Sequence, residues 1–412
     1  MRGRSLSLDR RGSRAAALAV ALLTSAATAR AQTVPSFDAR TWRPSTDPDA
    51  SLVLEPPSTP GAWQWNLGAW ASYSHDPVTL RDAAGNAAAR PVRNLVGADL
   101  VADLGLGKRA AVGIDVPVLV WQDGDSPLPS TVASGGSVPA SSLGDLALTG
   151  KVSVVPNERQ GVHAGAGLGA LATVTLPTGD RAGFGGEGAV TSSLRAIAEY
   201  AFGVGAIRAS LGYTLRTERR TWPAGATGGV TLGDAIPWSV GAVLRPKVLA
   251  PWLDSGDRQV WEVAAHGSLP AGPIAPFGLG DPGATLLSPA LLAVDDRVAL
   301  GHAREAYVLA GIDFGLDGAI GVPALRAVLS VGWAPRPHDR DFDGVPDEID
   351  ECPDLPEDRD GIQDEDGCPE DDADSDGILD EKDACPLVPG VPSSDPKKNG
   401  CPGPPPPAAG GK

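Results

Sequence analysis

Carboxylates carry most of the chemistry available to this chain, and they are gathered in one place. Between Asp339 and Cys401 stand 17 Asp and 6 Glu against 5 Lys or Arg, a net charge of −18, whereas the whole 412-residue chain sums to −17. Their spacing is regular. Asp339, Asp341, Asp343, Gly344, Asp347 and Asp350 recur 33 residues later as Asp372, Asp374, Asp376, Gly377, Asp380 and Asp383. The block is therefore an internal duplication, each copy reading D-x-D-x-D-G-x-x-D-x-x-D. A calcium loop of the EF-hand kind takes oxygens from positions 1, 3, 5, 7, 9 and 12 and turns on a glycine at position 6. Copy one offers Asp339, Asp341, Asp343, the Val345 carbonyl, Asp347 and Asp350. Copy two offers Asp372, Asp374, Asp376, the Ile378 carbonyl, Asp380 and Asp383. A shorter version between them holds Asp358, Asp360 and Asp364, with Pro356 where the first acid would stand, and reads as a shared or weaker site. Calcium is the expected cofactor, because a hard cation suits all-oxygen cages and zinc would want imidazole or thiolate.

The four cysteines, Cys352, Cys368, Cys385 and Cys401, all lie in this block, each followed by proline. An even, regularly spaced set in an exported chain reads as disulfides. The separation of 16 residues repeats with the duplication. It favours the pairs 352–368 and 385–401 over the two other pairings that four cysteines allow. Position 12 is Asp rather than the bidentate Glu of an EF-hand, and no long flanking helices are evident. Residues 336–402 instead resemble thrombospondin type 3 repeats, where D-x-D-x-D-G precedes Cys-Pro, and the resemblance implies calcium binding. Val345, Ile349, Leu355, Ile362, Ile378 and Leu379 are too few to bury a core, so metal and disulfides must take its place.

The rest of the chain must supply the anchor. Arg2, Arg4, Arg10, Arg11 and Arg14 precede a 13-residue apolar run, Ala15 to Ala27, and Ala29-Arg30-Ala31 offers small residues for signal peptidase. Residues 1–31 are expected to be a signal peptide, with the mature chain starting at Gln32, and 32–60 an N-terminal linker. No later apolar run approaches the roughly 20 residues of a spanning helix, so a membrane-embedded body would have to be a β-barrel.

Residues 61–335 alternate with period two. Val96, Ala98, Leu100, Ala102, Leu104 and Leu106 share one face, with Asp99 and Asp103 on the other. Ile207, Ala209, Leu211, Tyr213 and Leu215 oppose Arg208, Ser210, Thr214 and Arg216. Alternation of this kind puts one set on each side of a sheet. The expected fold is all-β: an antiparallel transmembrane barrel of about 12 strands, followed by a small calcium- and disulfide-stabilised repeat. The strands are expected near 61–74, 93–107, 109–121, 142–155, 161–176, 187–202, 204–217, 234–246, 257–269, 285–299, 303–316 and 322–334. Short links alternate with longer ones, and Trp63, Trp65, Trp121, Trp238, Trp261 and Trp333 fall near strand ends, as an interfacial girdle requires. A soluble sandwich also alternates, but the apolar face here is Val, Leu, Ala and Trp, while the other face is Gly, Ser and charge.

Two short stretches, Leu143-Gly144-Asp145-Leu146-Ala147-Leu148 and Thr175-Leu176-Pro177-Thr178-Gly179-Asp180, resemble recurring segments of outer-membrane barrels of the phenol-degradation transporter type. A barrel followed by acidic repeats resembles outer-membrane protein A family chains of myxobacteria and relatives. In that family a peptidoglycan-binding domain typically follows. Residues 403–412 are only a Pro/Gly-rich tail, so peptidoglycan binding is not carried over. The partners expected are outer-membrane lipid and, through the tail, cell-envelope components. Nucleic acid is excluded, because phosphate binding needs clustered Lys and Arg. None of the five histidines sits in a zinc or catalytic spacing, and there is no nucleophile elbow or phosphate loop, so no enzyme is expected. Inward charges such as Asp99, Asp103, Asp115, Arg195, Glu199, Arg208, Arg216, Glu262 and Arg326 read as a salt-bridged plug or a pore lining. The functional expectation is a porin-like or structural outer-membrane barrel with a periplasmic calcium-binding spacer. With an even strand count and a mature N-terminus starting in the periplasm, the chain end returns there. The alternative is a secreted calcium-binding adhesion or structural protein.

Overall fold

The computed structural model describes residues 37–402, apart from 82–85, 127–136, 156–164, 203, 219, 223–229, 250–251, 255–257, 273–274, 277–289, 302–303, 317–320, 336–350, 353–354, 356–366, 370–371, 373, 375 and 379–381. The signal-peptide reading, the first calcium loop (Asp339 to Asp350), the middle loop (Asp358, Asp360, Asp364) and Asp380 lie outside these residues.

Twelve strands form the body: β1 Trp65–Arg81, β2 Ala87–Gly105, β3 Ala110–Asp123, β4 Ala147–Val155, β5 Gly165–Thr175, β6 Thr191–Phe202, β7 Gly205–Arg216, β8 Ala235–Leu244, β9 Gln259–Gly272, β10 Ala290–Leu300, β11 Ala306–Gly315 and β12 Leu325–Trp333. Each pairs antiparallel with its neighbour in sequence. β1 pairs with β12 from Leu67↔Trp333 to His75↔Leu325, which closes the sheet on itself. Closure leaves no open edge, so every central backbone donor and acceptor finds a ladder partner. All twelve expected strands are present. The last link before β12 spans 316–324. Among the described residues no helix is long and apolar enough to cross a membrane.

The alternation read from sequence decides which side each residue takes. Leu100, Leu194 and Leu211 face outward at 60–62% exposure. On the opposite face of the strands Asp99, Asp115, Lys151, Glu262, Asp313 and Arg326 point inward and are buried. One rim carries the links 106–109, 156–164, 203–204, 245–258 and 301–305. The other carries 82–86, 124–146, 176–190, 217–234, 273–289 and 316–324.

The segment expected to be a linker is not free chain. From residue 37 to 60 it has no strand of its own, yet Phe37, Ala39, Ala50, Leu52 and Leu54 are buried, as are Asp38, Arg40, Asp47 and Glu55. It runs the height of the lumen. At the long-link rim Phe37 packs with Val78, Val92, Leu95, Leu119 and Phe184. Halfway down, Leu52 and Leu54 join Trp70, Val101, Val243, Ala264, Ala293, Leu309 and Val328, contributed by seven different strands. At the short-link rim the Trp63 amide donates to the Gly105 carbonyl at 2.9 Å and the chain enters β1. Residues 37–60 are thus a plug. The linker reading missed it because Pro, Ser, Thr and Asp dominate the segment, and those residues favour irregular backbone wherever it lies.

Candidate functional site

Two places concentrate chemistry: the plugged lumen and the acidic turn near the C-terminus. In the lumen the plug supplies bases for the wall carboxylates Asp99 and Asp115. Arg40 donates to Asp99 Oδ1 at 2.8 Å and to both oxygens of Asp38 at 3.2–3.3 Å. Arg43 donates to Asp115 Oδ2 at 3.2 Å, to Asp38 Oδ2 at 3.1 Å and to the Asp145 carbonyl at 2.9 Å. One wall lysine reverses the polarity: Lys151 Nζ stands 2.7 Å from Asp47 and 3.3 Å from Glu55 of the plug. On the opposite wall three successive plug amides point at carboxylates. Leu52 donates to Asp295 at 2.9 Å, and Val53 and Leu54 donate to the two oxygens of Glu262 at 3.1 and 2.9 Å. Buried charges persist only where they are paired and hydrogen-bonded, and here the pairing crosses between plug and barrel.

Several other inward charges pair within the barrel itself. Arg208 bonds Glu199, Arg216 reaches Glu187 at 2.8 Å, and Arg326 reaches Asp313 at 2.8 Å. Thr46 of the plug lies 3.4 Å from Asp103, and Arg195 packs beside Gly212. Sequence reasoning placed the wall charges but missed Asp38, Arg40, Arg43, Asp47 and Glu55. The available signal was twofold: Trp42 and Leu52-Val53-Leu54 are too apolar for a solvated linker, and three nearby wall carboxylates, at 99, 103 and 115, lacked bases.

At the long-link rim the two short segments singled out in the sequence meet. Asp145 accepts the amides of Gly179 and Glu187, each at 2.7 Å, and Thr178 Oγ1 accepts the Leu146 amide at 2.9 Å. The Asp180 amide donates to the Leu143 carbonyl at 3.0 Å. Burial pushes the Asp145 carboxyl above the usual aspartate range, against the two amides that favour its charge. The tie interrupts the expected strand 142–155, which splits into Ser142–Leu143 and Ala147–Val155, and it fastens the rim where Arg43 arrives.

In the acidic repeat the structure joins Cys352 to Cys368 and Cys385 to Cys401, each pair with its Cα atoms 5.0 Å apart. Asp372, Asp374 and Asp376 come together, each offering a carboxylate oxygen within 4.8 Å of the others, and this cluster has the make-up to hold a metal ion. Gly377 turns the chain at φ +86°, as position 6 of the loop requires. The turn is braced from within: Asp376 and Gly377 amides donate to Asp372 at 3.2 and 2.8 Å, and Gly390 donates to Asp376 at 2.8 Å. Asp374 Oδ2 and Asp383 Oδ2 are buried without a protein partner. Burial first, then the charges of Asp376, Asp383 and Asp372, hold the Asp374 carboxyl above its ordinary range. Orphaned acceptors beside like charges are the donor set that a hard divalent cation satisfies. The Ile378 amide donates to Asp376 at 2.9 Å.

No family model and no curated relative matches the chain. Solved structures do. An outer membrane channel from Pseudomonas putida F1 is 12% identical, with a TM-score of 0.47, over 68% of this chain and all of its own. A mutant of the TodX monoaromatic hydrocarbon channel is 13% identical with a TM-score of 0.34, over 67% of this chain and 91% of its own. The NanC porin is 7% identical with a TM-score of 0.35, over 66% and 99%.

Proposed function

We propose that the chain is a porin-like outer-membrane barrel whose C-terminal repeat, stiffened by calcium, is a periplasmic spacer. The observation that carries this reading is the inversion of the body. Its outer face is a continuous belt of apolar side chains, while its charges and hydroxyls face the lumen. A soluble protein rarely exposes so large an apolar surface, and a closed ring of strands is one of two ways a backbone can cross a bilayer. Trp63, Trp65, Trp121 and Trp333 stand exposed close to strand ends, at the depth where aromatic side chains meet headgroups. The apolar belt also disfavours the secreted adhesion reading.

The links are shorter on average on the rim that carries 106–109 and 203–204 than on the rim that carries 124–146 and 217–234, which supports reading the first rim as periplasmic. Trp333 ends β12 on that rim, so the repeat leaves into the periplasm. Residues 1–31 fit the export this requires. The carboxylates of Asp372, Asp374 and Asp376, with Asp383 nearby, would hold the calcium; what the ion supplies is charge neutralisation and a fixed turn, not catalysis. Purified full-length protein in planar bilayers tests the channel half. Discrete, salt-dependent conductance steps support it, and a bilayer that stays silent with folded protein inserted, even when residues 37–60 are deleted, leaves only the structural role. Calcium titration tests the spacer half: the repeat should resist protease in millimolar calcium and be cut in a chelator.

A further inference from the structure

The plug is fastened in two different ways along its length. Its backbone pairs in register with no barrel strand; side chains and single amides hold it. At the far rim it is seated by Phe37 in an apolar socket, edge-on to Phe184 with ring centroids 5.5 Å apart. At the near rim it is covalently continuous with β1. Between the two, the contact is mixed: Leu52 and Leu54 sit in the apolar cluster, and around them charge pairs and single amides hold groups that water can also satisfy once the plug leaves. Ser51 Oγ and Thr59 Oγ1 on the plug, and Trp70 Nε1, Asp115 Oδ1, Ser153 Oγ and Ser330 Oγ on the wall, are buried without a protein partner. The paired polar contacts exchange with water at a smaller cost than a strand ladder would, because the charges and amides are rehydrated when the segment withdraws.

We propose that residues 37–60 are an autoinhibitory gate that withdraws from the lumen while tethered at Trp65, opening when Phe37 leaves its socket. The inference rests on the channel reading above. The path vacated is lined by Asp99, Asp115, Lys151, Glu262 and Asp295 beside the apolar patch of Trp70, Val101 and Leu309, so it suits small amphipathic or charged solutes.

The test is a lock. Thr46 Cβ lies 2.7 Å from where a Cβ on Gly113 would stand, closer than the two Cβ atoms of a disulfide by about 1 Å, so the coil at Thr46 must back off from the wall slightly for the bond to close. The Thr46→Cys, Gly113→Cys protein, with its native disulfides left in place, is inserted oxidised into planar bilayers in potassium chloride and then reduced. The unmodified protein treated with the same reductant serves as control. The gate predicts that the cross-link forms, that the oxidised protein is nearly silent, and that reduction raises mean conductance at least tenfold. Phe37→Asp, without the cysteines, should raise it as well. Equal conductance of the cross-linked protein oxidised and reduced, or a Phe37→Asp conductance no higher than that of the unmodified protein, overturns the gate while leaving the channel standing. Silence from every form, Phe37→Asp included, overturns the channel and the gate with it.

Discussion

The lumen and the acidic repeat handle carboxylates in opposite ways. In the lumen, Asp99 and Asp115 sit on a ring of paired strands and meet Arg40 and Arg43 at 2.8 and 3.2 Å. The scaffold there is independent of the charges, so each carboxylate need only find a base or an amide. In the repeat there is no core beneath the charges. Asp372, Asp374 and Asp376 crowd within 4.8 Å, and no base is paired with them among the described residues. Protein bases neutralise the first set; the second needs a cation from outside. The same residue type is therefore a fixed strut in one region and a ligand in the other, and the difference is set by whether hydrogen-bonded structure exists before the charge is placed.

This contrast breaks most readily at Arg40. Arg40→Ala leaves Asp99 and Asp38 buried with a base removed, at a cost of about 3–5 kcal/mol. The loss is read as a lowered urea midpoint of the detergent-folded barrel, with calcium binding by the repeat unchanged. Replacing both Arg40 and Asp99 with apolar residues of similar size should recover most of the loss. A cost as large in the double replacement would show that the pair does more than neutralise charge.

Next in size is the repeat's covalent frame. Replacing Cys385 and Cys401 with serine removes a short-loop cross-link worth about 3 kcal/mol to the repeat. Protease should then cut the repeat even in calcium, while the barrel's resistance to heat in detergent stays as before. A barrel that loses stability together with the repeat would mean that the two regions are not independent.

The smallest effect sharpens the ligand claim. Asp374→Asn keeps the side chain's shape and removes the charge that carries a buried, unpartnered oxygen. Calcium affinity of the full chain should fall about tenfold, or about 1.4 kcal/mol, by titration calorimetry, with the lumen untouched. An unchanged affinity would move the site away from this turn.

How much of this was legible beforehand follows from the same contrast. Strand number and facing came through because a lipid-and-lumen partition imposes period two on every strand, and β2 shows it from Val96 to Leu104. Bounds came through less well. β1 continues to Arg81 because register shifts between His75 and Arg81 let the hairpin with β2 extend past its regular part, and irregular pairing leaves no periodic trace. The Asp372–Asp376 cluster was legible from spacing alone, since its ligands are neighbours in sequence. The plug was not, because its partners are far away: Leu52 and Asp295 are 243 residues apart. A coil that binds by scattered amides and charges has no period to read.

The central claim is that the apolar outer face of the barrel meets lipid. Separation of cell envelopes, followed by electrophoresis of unheated and boiled samples, tests it most directly. The account predicts that the mature chain collects with the outer membrane, needs detergent for release, and migrates at a different apparent mass before boiling than after. A chain recovered as a soluble monomer from the periplasm or medium without detergent would contradict it.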